Sequence, residues 1–235
     1  MKSVVVHRIA LIMSVVLLLA GVVAYQYLHH SHKTDDSFSS LYTLVPADAF
    51  AVVETDDVTT FVDNFGGSSI ADVATLPVSE LLNSLKGYVH AFLEKMPHGL
   101  SPQVSKMLLS YHQPDGSRSQ VLYCRVNSDD VTLLQQFLDD TILSPSPEPE
   151  MMEYKGERIA VYQLTDGHSL AAYVADGFMA LSFSMELLQK VIEAQQEKET
   201  LSEDSVFMDL QSSKPSFSGT SVFLQKNDRW EQVYL

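Results

Sequence analysis

The chain has 235 residues, with 15 Lys plus Arg against 30 Asp plus Glu, a formal charge of −15. So acidic a surface repels nucleic acid and anionic lipid, which argues against a nucleic-acid binder. With 46% hydrophobic residues, 11 Phe and 10 Tyr, the chain has material for a packed core and no compositional case for disorder.

Residues 1–8 carry Lys2 and Arg8 and lead into an uncharged, mostly apolar run, Ile9 to Leu28. Twenty residues at helical rise make roughly 30 Å, enough to cross a bilayer with every backbone group satisfied internally. Tyr25 and Tyr27 fall where an aromatic belt belongs, and the positive N-terminal flank favours an N-terminus left in the cytoplasm. The expectation is a single-pass anchor over 9–28 in the inner membrane, with the rest of the chain in the periplasm. A cleaved signal peptide is the competing reading, with Val22 and Ala24 as the small residues before a cut at Tyr25. Lipoprotein processing fails, because Val22 stands where the acylated cysteine would have to be.

Residues 29–40 read as a short polar stalk. His29, His30 and His32 lie on it, and imidazoles so close suit Zn²⁺ or Cu²⁺, but a stalk provides no groups to orient the rings. They are weak metal candidates, and a polar membrane flank is the simpler reading. Every acid lies beyond Lys33, so setting aside the cations Lys2, Arg8 and Lys33 takes the formal charge from −15 to −18 for the remainder.

The ectodomain, 41–235, reads as α+β. Ala49 to Glu54 is strand-like, and Thr55 then caps a helix with Val58, Phe61, Val62 and Phe65 at helical spacing. Ser79 caps a second helix bearing Leu81, Leu82, Leu85 and Val89. Lys106–His112 and Ser119–Val126 form a hairpin through Pro114-Asp115-Gly116. Ser128-Asp129-Asp130 starts a helix with Val131, Leu134, Leu138 and Ile142 on one face. A stiff connector at 144–150 follows, a possible subdomain boundary.

Met151–Tyr154, Arg158–Leu164, Leu170–Ala175 and Phe178–Phe183 read as an antiparallel meander turning at Lys155-Gly156, Asp166-Gly167 and Asp176-Gly177. Ser184 caps a helix with Leu187, Leu188, Val191 and Ile192, followed by a charged, exposed stretch to Asp204. A short helix at Ser205–Leu210 and a hairpin of Ser221–Gln225 with Trp230–Tyr234 finish the chain. The expected architecture is an antiparallel sheet with amphipathic helices on one face. The echo of Thr55 to Phe61 in Ser128 to Leu134, 73 residues on, points to a repeated strand, cap and helix unit.

Chemistry is sparsely signalled. Cys124 is the sole cysteine and sits in a strand-like run, so it reads as a buried hydrophobe, and no intrachain disulfide can form. His98, His112 and His168 lie in or beside turns, the usual setting of solvated histidine. His90 and Glu94 share a helix face, as many surface pairs do. Glu148, Glu150, Glu153 and the acids from Glu193 to Asp204 read as a solvated face. No nucleophile elbow, phosphate loop, dinucleotide fingerprint, zincin motif or calcium loop is present, so no catalytic residue and no cofactor are assigned.

With Leu44-Val-Pro-Ala-Asp-Ala-Phe-Ala-Val-Val-Glu54 following a single anchor, the chain resembles uncharacterised single-pass envelope proteins of Gram-negative bacteria, a family whose ectodomains open with a Val-Pro-Ala-Asp-like lead into a strand. The resemblance implies an α+β ectodomain without catalytic residues to carry over, and Ser218 to Gln225 as the start of a second unit. The function expected is binding or scaffolding, with a sheet face or edge offered to an envelope protein. The alternative is a hydrolase of envelope polymers or lipids using dispersed carboxylates and a histidine.

Overall fold

The computed structural model describes residues 39–56, 61, 76, 79–95, 106–113, 118–125, 149–164, 166–175, 177–213, 219–227 and 229–234. The chain divides into two units, Met1–Ser37 and Phe38–Leu235, and the fold described is that of the second. The expected anchor (9–28), the stalk histidines, the helix after Ser128, most of the helix after Thr55 and the connector to Glu148 lie outside the described residues. Among those described, no helix is long and apolar enough to cross a membrane.

Nine strands form one antiparallel sheet. They are β1 (Ala51–Thr55), β2 (Met107–Tyr111), β3 (Gln120–Arg125), β4 (Glu150–Tyr154), β5 (Glu157–Gln163), β6 (Ser169–Ala175), β7 (Phe178–Ser182), β8 (Thr220–Lys226) and β9 (Arg229–Tyr234). Their order is β4-β5-β6-β7-β3-β2-β1-β8-β9. The predicted meander is β4 to β7, and it joins the earlier strands through β3 against β7, with Leu122 opposite Leu181. At its first turn Lys155 and Gly156 both take positive φ, 48° and 85°, the backbone of the tight hairpin turns whose twist matches the flanking strands.

Among the described residues the sheet is accompanied by the α-helices α1 (Ser39–Tyr42), α2 (Glu80–Lys95), α3 (Met185–Glu197) and α4 (Ser205–Ser212). Ser39 and Ser40, at the end of the expected stalk, open α1. Two predicted caps are in place, with Ser79 Oγ accepting from Leu82 N–H at 3.1 Å and Ser184 Oγ from Leu187 N–H at 3.3 Å. The cap of α4 is Asp204, one residue ahead of the expected start, and it accepts from Val206 and Phe207 N–H.

The expectation of helices on one face is corrected. Residues alternate across the sheet into two separate cores. Val53, Leu109, Leu122, Ala172, Leu181 and Val222 pack on the side of α2 with Leu81, Leu82 and Leu85. Val52, Leu108, Tyr123, Tyr173, Ala180 and Phe223 pack on the other side with α1, α3 and α4. The physical reason is written in β1, β2 and β7, which are buried at every position. Continuous apolar strands, without polar alternation, belong to a sheet covered on both sides.

Two further expectations change. β8 pairs with β1 along its length, Thr55 opposite Thr220 to Ala51 opposite Leu224, so Ser218–Gln225 extends the one sheet instead of opening a second unit. The segment after α3 is not uniformly exposed either. Lys198 turns the chain back at φ 59°, Pro46 bridges to Thr200, and Leu201 and Thr200 are buried.

Candidate functional site

Among the described residues two places bring a histidine and a carboxylate together. The first lies where β2 ends. Because Ala51 stands opposite Tyr111 and Phe50 N–H bonds to Tyr111 C=O, the turn at Pro46–Asp48 is held beside His112. His112 Nδ1 is 2.8 Å from Asp48 Oδ1, and its Nε2 is 2.8 Å from Ser110 Oγ, two residues back on the same strand face. Lys190 of α3 donates to Asp48 Oδ2 at 2.8 Å, and the Tyr123 hydroxyl lies 3.4 Å from Ser110 Oγ. With Nδ1–H aimed at the carboxylate, Nε2 accepts from the serine hydroxyl when the ring is neutral and donates to it when charged.

Asp48 is held well below the usual carboxylate range by its hydrogen bond from His112, against partial burial and with further help from Lys190. The order hydroxyl, imidazole, carboxylate is that of a nucleophilic relay. Access decides otherwise: Ser110 is 0% exposed and the His112 side chain 1%, so no acyl group can approach the hydroxyl. The depression of about 240 Å³ alongside, between the Pro46–Asp48 turn and α3, reaches Asp48 and Lys190 but not Ser110. The cluster is a strut linking β2, the turn before β1 and α3.

The second place is a depression of about 410 Å³ lined by Arg118, Asp166, Gly167, His168, Ser169 and Phe183. His168 stacks on Phe183 with ring centres 4.7 Å apart. Arg118 donates from Nε to Glu80 at 2.8 Å and reaches His168 Nε2 at 3.0 Å. Since arginine only donates, Nε2 accepts and the proton of the ring sits on Nδ1. That nitrogen is 3.1 Å from Asp166 Oδ2, an ion-pair separation without hydrogen-bond alignment. Partial burial acts upward on Asp166, but hydrogen bonds from Ser84 and the His168 backbone, with the His168 ring close by, bring it down to about 2. Glu80 thus occupies Arg118, and Asp166 lies beside the His168 ring.

The meeting of His112 with Asp48 and of His168 with Arg118 is not readable from sequence, because the partners are 64 and 50 residues apart. His168 lies beside a turn, as expected, whereas the His112 side chain is buried and not solvated. His90 and Glu94 lie on α2, as expected. Glu150 and Glu153 are exposed. Cys124 is buried, its thiol pushed up to about 12 by desolvation. Among the described residues no three His, Cys, Asp or Glu side chains converge as metal ligands do, and His29, His30 and His32 lie outside them.

No family model, curated protein or solved structure matches this chain.

Proposed function

We propose that this is a membrane-anchored, extracytoplasmic binding or scaffolding protein of the bacterial envelope, of the single-pass kind its opening resembles. In this reading residues 9–28 lie in the inner membrane, the α+β domain stands in the periplasm, and the partner is an envelope protein. The repeated strand, cap and helix unit would reflect a duplicated fold element. One observation carries the binding role: helices pack on both faces of the central strands, and among the described residues the edge strand β4 is left exposed along nearly its whole length.

In-cell crosslinking of the full-length chain, with an anchor-only version as control, tests this. An envelope protein recovered only with residues 41–235 present, and binding the purified chain directly, is the expected result. Recovery of nothing beyond the control overturns it.

The second reading is a hydrolase. What favours it is the Ser110, His112 and Asp48 alignment; what opposes it is the sealed hydroxyl. Turnover of ester or amide substrates, lost in a Ser110→Ala chain that still folds, would establish it over the binding role.

A further inference from the structure

The two edges of the sheet differ. β9 shows exposed Arg229 and Glu231 on either side of buried Trp230, a charged guard of the kind that keeps edges unpaired. β4 reads Glu150-Met151-Met152-Glu153 and is exposed at all four positions. Met151 is 56% and Met152 41% exposed; among the described residues Val206 is the only other large apolar side chain so open. Side chains alternate across a strand. Met152 therefore sits with Glu150 on the α3 side, beyond Ile159, and Met151 with Glu153 on the α2 side, beyond Ala160. The outward backbone groups of β4 have no strand partner in the sheet.

We propose that β4 receives an extended segment of a partner protein as a tenth strand, and that this segment carries two consecutive apolar residues flanked by basic ones. The proposal rests on the binding reading above and names its surface and chemistry. Main-chain bonds to a free edge supply affinity without regard to sequence, and alternate side chains supply the selection. Opposite Glu153, Met152, Met151 and Glu150 the complementary pattern is basic, apolar, apolar, basic. Methionine suits such a site because its flexible thioether adapts to different apolar partners.

The same pattern turns away a second copy of this chain. The antiparallel register that sets Met151 against Met152 of another copy also sets Glu150 against Glu153 at both ends. Like charges directly opposite are unfavourable, and each chain carries a formal charge of −15. Glu153 already faces Arg158 across β5, whereas Glu150 faces Val161. Glu150 is therefore the stronger determinant.

The test uses full-length chain in detergent and a fluorescent eight-residue peptide centred on Arg-Val-Val-Arg, followed by anisotropy. Saturable binding is expected, weakening with salt as screened charges do. Methylating alternate backbone amides of the peptide, which leaves the protein untouched, is expected to weaken binding by about tenfold or more by removing strand pairing. E150K is expected to weaken it more than E153K, and E150K/E153K to prefer a Glu-Val-Val-Glu peptide. Thermal melting checks that these exposed variants fold. No binding at millimolar peptide, indifference to amide methylation or to E150K, or self-association through β4 in sedimentation would each overturn the proposal. A crosslinked partner whose capture is unchanged by E150K/E153K would sink this edge while leaving the binding role standing; no partner at all would remove both.

Discussion

Tyr42 donates a 2.7 Å hydrogen bond to Glu54, although both side chains are closed to solvent and stand on different elements, α1 and β1. Burial, with the charge and hydrogen bond of Glu54 behind it, raises Tyr42 well above its ordinary value, so the hydroxyl stays a donor. The bond fastens the first described helix to β1, and Tyr42 also meets Phe207 edge to face at 4.8 Å. Replacing Tyr42 with Phe keeps the ring contact and removes only the donor. The expected cost is about 1–3 kcal/mol, the usual consequence of taking a partner from a buried polar group. Urea unfolding of the two chains measures it, with a lowered midpoint and unchanged slope expected.

The Asp48 carboxylate predicts acid sensitivity. Its folded value lies below the unfolded one because His112 and Lys190 stabilise the charged form. The stability it contributes is therefore complete above the unfolded value, near about 3.9, and is lost as pH falls from there toward the depressed folded value. Asp166, brought down to about 2, acts in the same direction. Asp48→Asn should flatten the decline of melting temperature below about pH 4 while lowering stability at neutral pH. A decline as steep as that of the parent chain would place the acid sensitivity elsewhere.

Much of the sheet was legible because its signals are local. Lys155-Gly156 between two strand-like runs announces a hairpin, and Ser79 and Ser184 mark helix starts by their own hydroxyls. The two-sided core is also written in the sequence, in runs such as Val121 to Cys124, whose lack of polar alternation belongs to a sheet covered on both sides. Pairing over long separations left no such mark. That Asp48 would meet His112 follows from the β1 and β2 register together with the bend at Pro46, and register is set by the whole sheet. The Trp230 bond to Asp204 is hidden for the same reason.

Ser110 provides the sharpest check on the sealed relay. In the folded chain a fluorophosphonate probe should leave it unlabelled, since a hydroxyl without access cannot attack whatever its partners. Ser110→Ala should lower stability by about 1–2 kcal/mol through loss of the bond to His112. Labelling at Ser110 by mass spectrometry in the native chain would reverse the assignment of this cluster as a strut.

Cys124 reports on opening of the sheet. It stands opposite Met107 on β2 and Met179 on β7 in the middle of the sheet order. Its buried thiol is pushed up to about 12, so thiolate is scarce at pH 8. Iodoacetamide should modify it only as fast as the sheet opens, and promptly in strong denaturant. Alkylation in native buffer as fast as in denaturant would show that β3 is not held as described.

Asp204 serves two elements with one carboxylate. Oδ1 accepts from Val206 and Phe207 N–H, capping α4, while Oδ2 accepts from Trp230 Nε1 of β9 at 3.0 Å. Phe207 completes the link by packing edge to face on Trp230 at 4.8 Å and on Phe223 at 5.4 Å. Asp204→Ala removes the cap and the indole's acceptor together. The expected loss is about 1–3 kcal/mol, combining a typical cap with one hydrogen bond. Asp204→Asn keeps an oxygen for either role and should cost less, because asparagine caps as well as aspartate. Trp230 is the only tryptophan, so its emission follows this corner alone: blue-shifted in the parent chain, moving to longer wavelength in Asp204→Ala before global unfolding. If the alanine chain melts with the parent's midpoint and an unchanged spectrum, the docking of α4 on β9 is held by Phe207 packing and not by the carboxylate.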